Sequence, residues 1–163
     1  MDIRTATRDD LSTIIDIYNQ AVEEGFRTAD LTPVRLDERI DWFNLHNPST
    51  YPIYVMTEDK KIIGWCSVSP YRPGREALRT AAEISYYVDR NFRKRGIAMR
   101  LILHAIEQAP LLGLRHFFAI LLDVNEASVR LLERCGFKRW GHLPDIASIK
   151  DTRCGQFIYG REI

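Results

Sequence analysis

Residues 81–106 contain the feature that most restricts how this chain can fold. Ala81 to Asp89 is rich in β-forming residues, and residues 93–98 form a basic loop, Arg-Lys-Arg-Gly-Ile-Ala. The helix expected after the loop has apolar residues at helical spacing: Leu101, Ile102, Ala105 and Ile106. A glycine-containing loop between a strand and a helix N-terminus offers backbone N–H groups and the positive end of the helix dipole. The stretch therefore predicts a pyrophosphate site in preference to a solvated basic loop.

Two helices are expected near the N-terminus, after a short strand around Ile3. A Thr-Arg-Asp-Asp capping box beginning at Thr7 starts the first helix. Its inward stripe is apolar: Leu11, Ile14, Ile15, Tyr18 and Val22. Thr32-Pro33 has the form of an N-cap followed by proline at the first helical position, so a second helix is expected there, ending at Asn47-Pro48. That helix would turn three side chains inward: Leu36, Ile40 and Phe43.

The rest of the chain is predicted to complete an α/β fold. Four further β-rich runs are expected as strands: Tyr51 to Thr57, Lys61 to Ser69, Phe137 to His142 and Phe157 to Ile163. The first two are separated by a charged turn and read as an antiparallel hairpin. The nearly continuous apolar run His116 to Val124 predicts a strand buried on both faces. A short helix is expected from Asn125 to a glycine C-cap at Gly136.

Composition fits a single globular domain over residues 1–163 and excludes several classes of protein. Hydrophobic residues make up 45% and charged residues 28% of the chain, as in ordinary globular domains. The balance of 23 basic and 22 acidic side chains disfavours a nucleic-acid binder held by bulk electrostatics. No apolar segment resembles a signal peptide or a membrane span, so a cytoplasmic protein without membrane partners is expected.

The cysteines and histidines do not form a metal-binding pattern. The three cysteines are widely spaced, which favours reduced thiols over disulfides or a zinc site: Cys66, Cys135 and Cys154. The histidines have no metal-ligand spacing either: His46, His104, His116 and His142. No metal cofactor is therefore expected.

The basic loop resembles the phosphate-binding signature of the GNAT acetyltransferase superfamily. That signature, Arg or Gln, two residues, Gly, one residue, then Gly or Ala, is matched by Arg93-x-x-Gly96-x-Ala98. The resemblance continues at Asn125, Ser128 and Gly136-Phe137. Within the superfamily the chain is most similar, nearly end to end, to phosphinothricin and methionine sulfoximine N-acetyltransferases. Three further segments carry that similarity: residues 25–28 (Gly-Phe-Arg-Thr), Ala82-Glu83 and residues 125–130 (Asn-Glu-Ala-Ser-Val-Arg).

The resemblance implies a fold, a cosubstrate and an assembly. The GNAT fold has a mixed central β-sheet that splays open between strands 4 and 5 and is flanked by helices. Acetyl-CoA would bind in the splay, with its pantetheine on the backbone of the fourth strand and its pyrophosphate on the basic loop. The implied cofactor-binding residues are Tyr86, Tyr87, Val88, Arg93, Lys94, Arg95, Gly96, Ile97, Ala98, Met99 and Asn125. The family also implies a homodimer with acceptor pockets near the interface.

Glu83 is the candidate catalytic base. An ammonium has no lone pair to attack a thioester, so a base is useful, and Glu83 matches the glutamate to which related enzymes assign that role. The alternative is a surface carboxylate paired with Arg79 or Lys94. Asn125 either binds a ligand or is only an N-cap. The tyrosine that often protonates the leaving thiolate is replaced here by Leu132, which leaves the proton donor unassigned.

Two segments are candidates for binding the acceptor. Arg72 and Arg75, with Arg79, lie in the loop before the Glu83 strand, where a guanidinium could meet a carboxylate; solvated arginines are the alternative. Phe26 and Arg27 match a family segment near the acceptor pocket, although Phe26 could equally be a core aromatic. Near the C-terminus, related enzymes often have an aromatic-Asp pair where residues 153–156 here read Arg-Cys-Gly-Gln. Cys154 in that segment is read as a plain thiol because it has no His or acidic partner nearby in sequence.

The function predicted is direct transfer of an acetyl group from acetyl-CoA to the primary amine of a small amino acid or analogue, of the phosphinothricin or methionine sulfoximine type. One alternative keeps the chemistry and changes the acceptor to a polyamine, an aminoglycoside or a protein N-terminus. A second alternative is a sensor that binds acetyl-CoA without turnover. A nucleotide-phosphate binder unrelated to CoA conflicts with the match from Asn125 to Phe137 and lacks the Gly-Lys-Ser/Thr ending of a P-loop.

Overall fold

A computed structural model describes residues 1–163 and contains four α-helices and seven strands in the predicted order. The helices are α1 (Leu11–Glu24), α2 (Leu36–Asn44), α3 (Ile97–Gln108) and α4 (Glu126–Arg134). The strands are β1 (Asp2–Thr5), β2 (Ile53–Glu58), β3 (Lys61–Pro70), β4 (Ala81–Val88), β5 (His116–Leu122), β6 (Lys138–Ile149) and β7 (Thr152–Glu162). None of the helices has both the length and the apolar character needed to span a bilayer.

The strands form one mixed sheet in the order β1-β2-β3-β4-β5-β7-β6. All neighbouring pairs are antiparallel except β4 and β5, which are parallel. The β4–β5 ladder joins only Ala81–Glu83 to His116–Phe118, so the two strands separate beyond Glu83. The predicted splay between strands 4 and 5 is therefore confirmed, and it leaves one edge of β4 unpaired along most of its length.

Apolar side chains hold the sheet from both faces. The largest cluster, 19 buried residues, joins Leu101 of α3, Leu132 of α4 and Phe117 of β5 on one face. On the other face Ile14 of α1 packs against Trp65 of β3, and the Trp65 indole N–H donates to the Ile14 carbonyl at 2.9 Å. Because helices pack on both sides of β3 and β4, the position of β4 relative to α1 and α3 is fixed.

The second helix begins later than the sequence predicts. It starts at Leu36 with Arg35 as N-cap, and the Arg35 backbone N–H donates to the Glu38 carboxylate at 2.8 Å. Thr32-Pro33 is not its start because the Asn19 side chain bonds both the N–H and the C=O of Val34 at 2.9 Å, which ties that segment to α1. Leu36, predicted to point inward, is 49% exposed.

Strand β5 is buried less evenly than predicted. Phe117, Ala119 and Leu122 are buried, whereas Phe118 and Ile120 are only half-buried. The prediction of burial on both faces is wrong because α1 and α2 pack over β2, β3 and β4, which leaves the same face of β5 without a covering helix.

The last two strands are longer than predicted, with 12 and 11 residues. They extend as a hairpin through a turn at Lys150 and Asp151, both with positive φ. Two-residue turns of this kind usually carry Asn or Gly, so the Lys-Asp pair gave no turn signal. The extension brings Ile149 and Cys154 against Leu122 at the end of β5.

Candidate active site

The space between β4 and the N-terminus of α4 is a groove of about 300 Å³, here called the wedge groove. Its walls come from four parts of the chain: Ala21, Arg27, Tyr86, Tyr87, Val88, Arg93, Lys94, Ala98, Asn125, Ala127 and Ser128. Since β4 has no strand partner on this side beyond Glu83, its backbone groups there can bond a ligand laid along the strand, apart from the Val88 carbonyl, which accepts from the Arg93 guanidinium at 3.4 Å. Seven of the predicted cofactor residues line this groove: Tyr86, Tyr87, Val88, Arg93, Lys94, Ala98 and Asn125.

The basic loop closes one end of the wedge groove. Gly96 has φ 75° and is the N-cap of α3, a conformation that glycine adopts without strain. A Cβ placed on Gly96 would meet no atom within 4 Å, so the space over the loop is open. The first N–H groups of α3, from Ile97 to Met99, have no acceptor within the helix. Together these features fit a diphosphate.

The basic side chains of this loop have different partners. Arg93 pairs with Glu24 at 2.7 Å and Arg95 with Glu58 at 2.7 Å. Lys94 has no ion-pair partner and lines the wedge groove. Lys94 is thus the side chain of the predicted trio that remains available to neutralise a ligand phosphate, while Ile97 is buried in the core and offers only its backbone.

A second cavity, of about 240 Å³, contains Glu83 and is called the Glu83 cavity. It is lined by Ile14, Ile15, Tyr18, Val34, Arg39, Trp42, Trp65, Ser67, Ser69, Glu83, Ser85 and Tyr87. Glu83 makes no ion pair with Arg79 or Lys94, the alternative weighed from the sequence. Burial raises the pKa of the Glu83 carboxyl above its ordinary value. A partly buried carboxylate with a raised pKa is suited to take a proton near neutral pH.

Tyr87 lines both the Glu83 cavity and the wedge groove. Its ring lies 4.9 Å from those of Tyr18 and Trp65, and burial raises the pKa of its phenol to about 12. Burial also raises the pKa of Tyr86, so both phenols stay neutral hydrogen-bond donors. Tyr87 is therefore the residue that the groove and the cavity have in common.

Asn125 is the N-cap of α4 and also lines the wedge groove. Its Oδ1 accepts from the Ser128 backbone N–H at 3.3 Å, which confirms the N-cap, and it also accepts from the Arg27 guanidinium at 3.2 Å at the wall of the wedge groove. Phe26 packs against Leu122 and Cys154, so the structure places it in a small apolar cluster and outside the Glu83 cavity. Arg27, in contrast, lines the wedge groove and is also outside the Glu83 cavity.

The arginines predicted to meet an acceptor carboxylate do not line the Glu83 cavity. Arg72 and Arg75 lie in a separate surface depression with Arg79. Arg39 of α2, which the sequence reading missed, lines the Glu83 cavity instead. Its guanidinium lies 5.3 Å from the centre of the Tyr18 ring and 3.1 Å from the Asp30 carboxylate. Arg39 reaches the Glu83 cavity because α2 packs beside it, and no local sequence pattern could have identified this residue.

Two other positions considered in the sequence, Leu132 and Cys154, offer neither a proton donor nor a nucleophile. Leu132, in the position of the absent tyrosine, is 0% exposed and has no proton to give. Cys154 is buried against Ile149, and burial raises the pKa of its thiol, which suits the predicted plain thiol. No group of three or more His, Cys, Asp or Glu side chains is arranged to hold a metal ion.

Comparisons with known proteins agree with this geometry. Residues 12–137 match the model of the acetyltransferase (GNAT) family. The chain is 34% identical over 145 residues to the L-methionine sulfoximine/L-methionine sulfone acetyltransferase of Pseudomonas aeruginosa, covering 88% of this chain and 84% of that one. A phosphinothricin acetyltransferase from Sinorhizobium meliloti, solved in complex with AcCoA, superposes with a TM-score of 0.92 at 26% identity, covering 99% of this chain and 88% of that one.

A relative named for a different acceptor superposes equally well. The ribosomal-protein-alanine N-acetyltransferase from Brucella melitensis gives a TM-score of 0.93 at 29% identity, with both chains covered completely. The family is therefore shown by the matching residues and the fold, whereas relatives with the same fold are named for different acceptors. This chain belongs to the GNAT acetyltransferase family.

Proposed function

We propose that residues 1–163 form one enzyme domain that transfers the acetyl group of acetyl-CoA directly to the primary amine of a small amino acid or amino-acid analogue. The observation that carries the proposal is that the Glu83 cavity and the wedge groove share the wall at Tyr87. An amine in the cavity and a thioester in the groove would meet without a covalent acyl-enzyme.

The residues of the wedge groove fit acetyl-CoA. The unpaired edge of β4 suits pantetheine amides, and the N-terminus of α3 with Lys94 suits the diphosphate. The free N–H groups of β4 would polarise the thioester carbonyl as the amine attacks. Holding both reactants in one place supplies much of the acceleration, because the reaction becomes effectively unimolecular.

Glu83 takes the proton that the amine must lose. The amine nitrogen forms a bond to the acetyl carbon, the bond from that carbon to sulfur breaks, and the thiolate leaves with the electron pair. A thiol of ordinary pKa near 8.5 is a tolerable leaving group as thiolate near neutral pH, so Leu132 does not prevent turnover. The neutral phenols of Tyr86 and Tyr87 are hydrogen-bond donors among the residues that line the wedge groove.

The charges of the Glu83 cavity favour an α-amino acid. The cavity has one carboxylate, Glu83, for an ammonium and one guanidinium, Arg39, whose ion pair with Asp30 leaves further N–H groups for a carboxylate. Its remaining walls are largely aromatic or aliphatic, and a volume of about 240 Å³ limits the acceptor to a small side chain. A polyamine would leave Arg39 facing a second cation. The name of the Pseudomonas relative supports an acceptor of the methionine sulfoximine type.

The test compares matched amines on wild type and Arg39→Gln. Methionine sulfoximine and other small amino acids should be acetylated, and the corresponding amines that lack the carboxylate should react with a kcat/KM lower by about 10- to 100-fold, the value of one charge-assisted hydrogen bond. Arg39→Gln should lose the same factor on amino acids and almost nothing on the carboxylate-free amines. Equal loss on both kinds of amine would contradict the assignment of Arg39, and preference for polyamines or peptide N-termini would contradict the acceptor class.

We also propose that the enzyme works as a cytoplasmic homodimer, with the acceptor site near the interface. Three free, buried cysteines fit a reducing compartment. Strand β6 is an edge of the sheet, and on it Trp140, Leu143 and Ile146 are 49%, 39% and 60% exposed. Trp140 lies 5.3 Å from the Phe118 ring, and Phe118 is the register partner of Glu83. A second copy covering this surface would thus approach the Glu83 cavity.

Sedimentation velocity tests the dimer. Wild type should sediment as a dimer at micromolar concentration, and Trp140→Lys should shift it towards monomer, because a charge would have to be buried in the interface. The control is Leu111→Lys, at an 82% exposed position in the turn after α3, which should remain dimeric. A wild-type chain that stays monomeric at all concentrations would contradict the proposal.

A further inference from the structure

A histidine behind the Glu83 cavity fixes the direction of a serine hydroxyl inside it. His46 Nδ1 lies 2.8 Å from the Trp42 carbonyl oxygen, and His46 Nε2 lies 3.0 Å from Ser69 Oγ. A carbonyl oxygen only accepts hydrogen bonds, so Nδ1 must hold the ring proton. Burial lowers the pKa of His46 and keeps the ring neutral. Nε2 is then an acceptor, and the Ser69 hydroxyl donates to it.

This arrangement determines what Ser69 can do toward the cavity. Its proton is used by His46, so Ser69 Oγ offers only lone pairs to a ligand. Ser69 lines the Glu83 cavity and is the direct register partner of Glu83 across the β3–β4 ladder. Directly opposed residues on antiparallel strands have Cβ atoms about 5 Å apart. One nitrogen can therefore reach the Glu83 carboxylate and Ser69 Oγ at the same time.

We infer that Ser69 is a substrate-binding residue that holds the acceptor amine beside Glu83, and that His46 is the residue that positions it. The incoming ammonium donates one hydrogen bond to Glu83 and one to Ser69 Oγ. After Glu83 removes one proton, the amine turns its new lone pair toward the thioester while it keeps a hydrogen bond to Ser69 Oγ. The second proton, which the nitrogen loses once the bond to the acetyl carbon has formed, passes to solvent. The other serines of the cavity, Ser67 and Ser85, have no comparable histidine partner.

The inference rests on the proposed function, and the kinetic test separates the two. With an acceptor that wild type acetylates, Ser69→Ala should lower kcat/KM for the amine by about 10- to 100-fold, with the KM for acetyl-CoA unchanged. The control is Ser12→Ala, an exposed serine on α1 that lines neither the Glu83 cavity nor the wedge groove, which should match wild type. No turnover by wild type would count against the proposed function, whereas a wild-type rate for Ser69→Ala would overturn the inference alone.

A double-mutant cycle tests the role of His46. His46→Phe keeps an aromatic ring against Trp42, 4.7 Å away, and removes the acceptor for the Ser69 proton. It should lower kcat/KM by about tenfold, and the double variant with Ser69→Ala should be no slower than Ser69→Ala, since residues that act as a unit are not additive. Additive losses would overturn the positioning role.

Nitrogen NMR of the imidazole provides a readout independent of activity. The His46 ring in the apo protein should be the neutral tautomer with the proton on Nδ1, and Ser69→Ala should shift the Nε2 resonance because its hydrogen bond is lost. A proton on Nε2 at neutral pH would reverse the direction of the Ser69 bond and overturn the inference.

Discussion

Glu83→Gln is expected to lower kcat by about 100- to 10,000-fold, the usual contribution of a positioned base. The amide has nearly the same shape as the carboxylate, so the Glu83 cavity persists, but it cannot take the proton that the amine must lose. The affinity for acetyl-CoA should not change, because Glu83 does not line the wedge groove. Steady-state thiol release and calorimetric titration with acetyl-CoA measure the two quantities separately.

The pH dependence of kcat/KM is a second test of Glu83 as the base. Since burial raises the pKa of Glu83, the acidic limb of kcat/KM in wild type should lie above the ordinary glutamate pKa of about 4.3. Activity should fall as the pH drops through that raised pKa, and Glu83→Gln should lack the limb. Glu107→Gln, an exposed glutamate on α3, is the control and should keep the wild-type rate. A Glu83→Gln enzyme with wild-type kcat would refute the base assignment.

Glu83→Gln should keep or raise the thermal stability of the protein at neutral pH although it lowers the activity. A carboxyl whose folded pKa is raised above its unfolded value stabilises the fold only while protonated, and that contribution is lost as the pH rises through the folded pKa. At neutral pH the ionised Glu83 therefore lowers the free energy of unfolding. Glu83→Gln should have a Tm equal to or above that of wild type at pH 7, which also shows that its loss of activity is not unfolding.

Gly96→Val is expected to weaken acetyl-CoA binding by about 100-fold, the value of one or two charge-assisted hydrogen bonds from the loop backbone. A β-branched residue is strained at φ 75°, so the loop has to move and its N–H groups leave the positions that face a diphosphate. Its side chain would also enter the open space above the loop. Equilibrium titration with acetyl-CoA, and with CoA itself, measures the loss.

Gly113→Val is a matched control for this variant. Gly113 has φ 71°, and a Cβ placed there would also meet no atom within 4 Å, but it follows α3 at the end opposite to the loop. Both variants should lose similar stability because the backbone strain is similar, and only Gly96→Val should lose affinity. Equal affinities for the two variants would place the diphosphate elsewhere.

The cofactor side of this site was predictable because its signals are local. Gly96 requires a positive φ, the basic residues surround it, and the periodicity of α3 follows at once, so one short segment contains the strand, the loop and the helix N-terminus. Glu83 could be chosen because a family resemblance marked it. The splay between β4 and β5 was predicted from the same resemblance, because no pattern of residues indicates where the hydrogen bonding between two parallel strands ends.

The acceptor side was harder to predict because it is assembled from distant segments. The Glu83 cavity takes Tyr18 from α1, Arg39 from α2 and Trp65 from β3, and each of these looks like an ordinary amphipathic position in its own element. Arg72 and Arg75 were selected because they are near Glu83 in sequence. They lie in the loop that connects β3 to β4, and this loop lines a separate surface depression. The start of α2 was missed for a similar reason, since Asn19 of α1 fixes Val34 through a tertiary contact.

The most direct measurement is the identity of the product. Wild-type enzyme incubated with isotopically labelled acetyl-CoA and methionine sulfoximine should release one thiol for each N-acetylated amino acid found by mass spectrometry, and no label should remain on the protein. That result would establish direct transfer to an α-amino group. Tight binding of acetyl-CoA with no product from any amino acid, amine or peptide would contradict the account and indicate a protein that senses acetyl-CoA without turning it over.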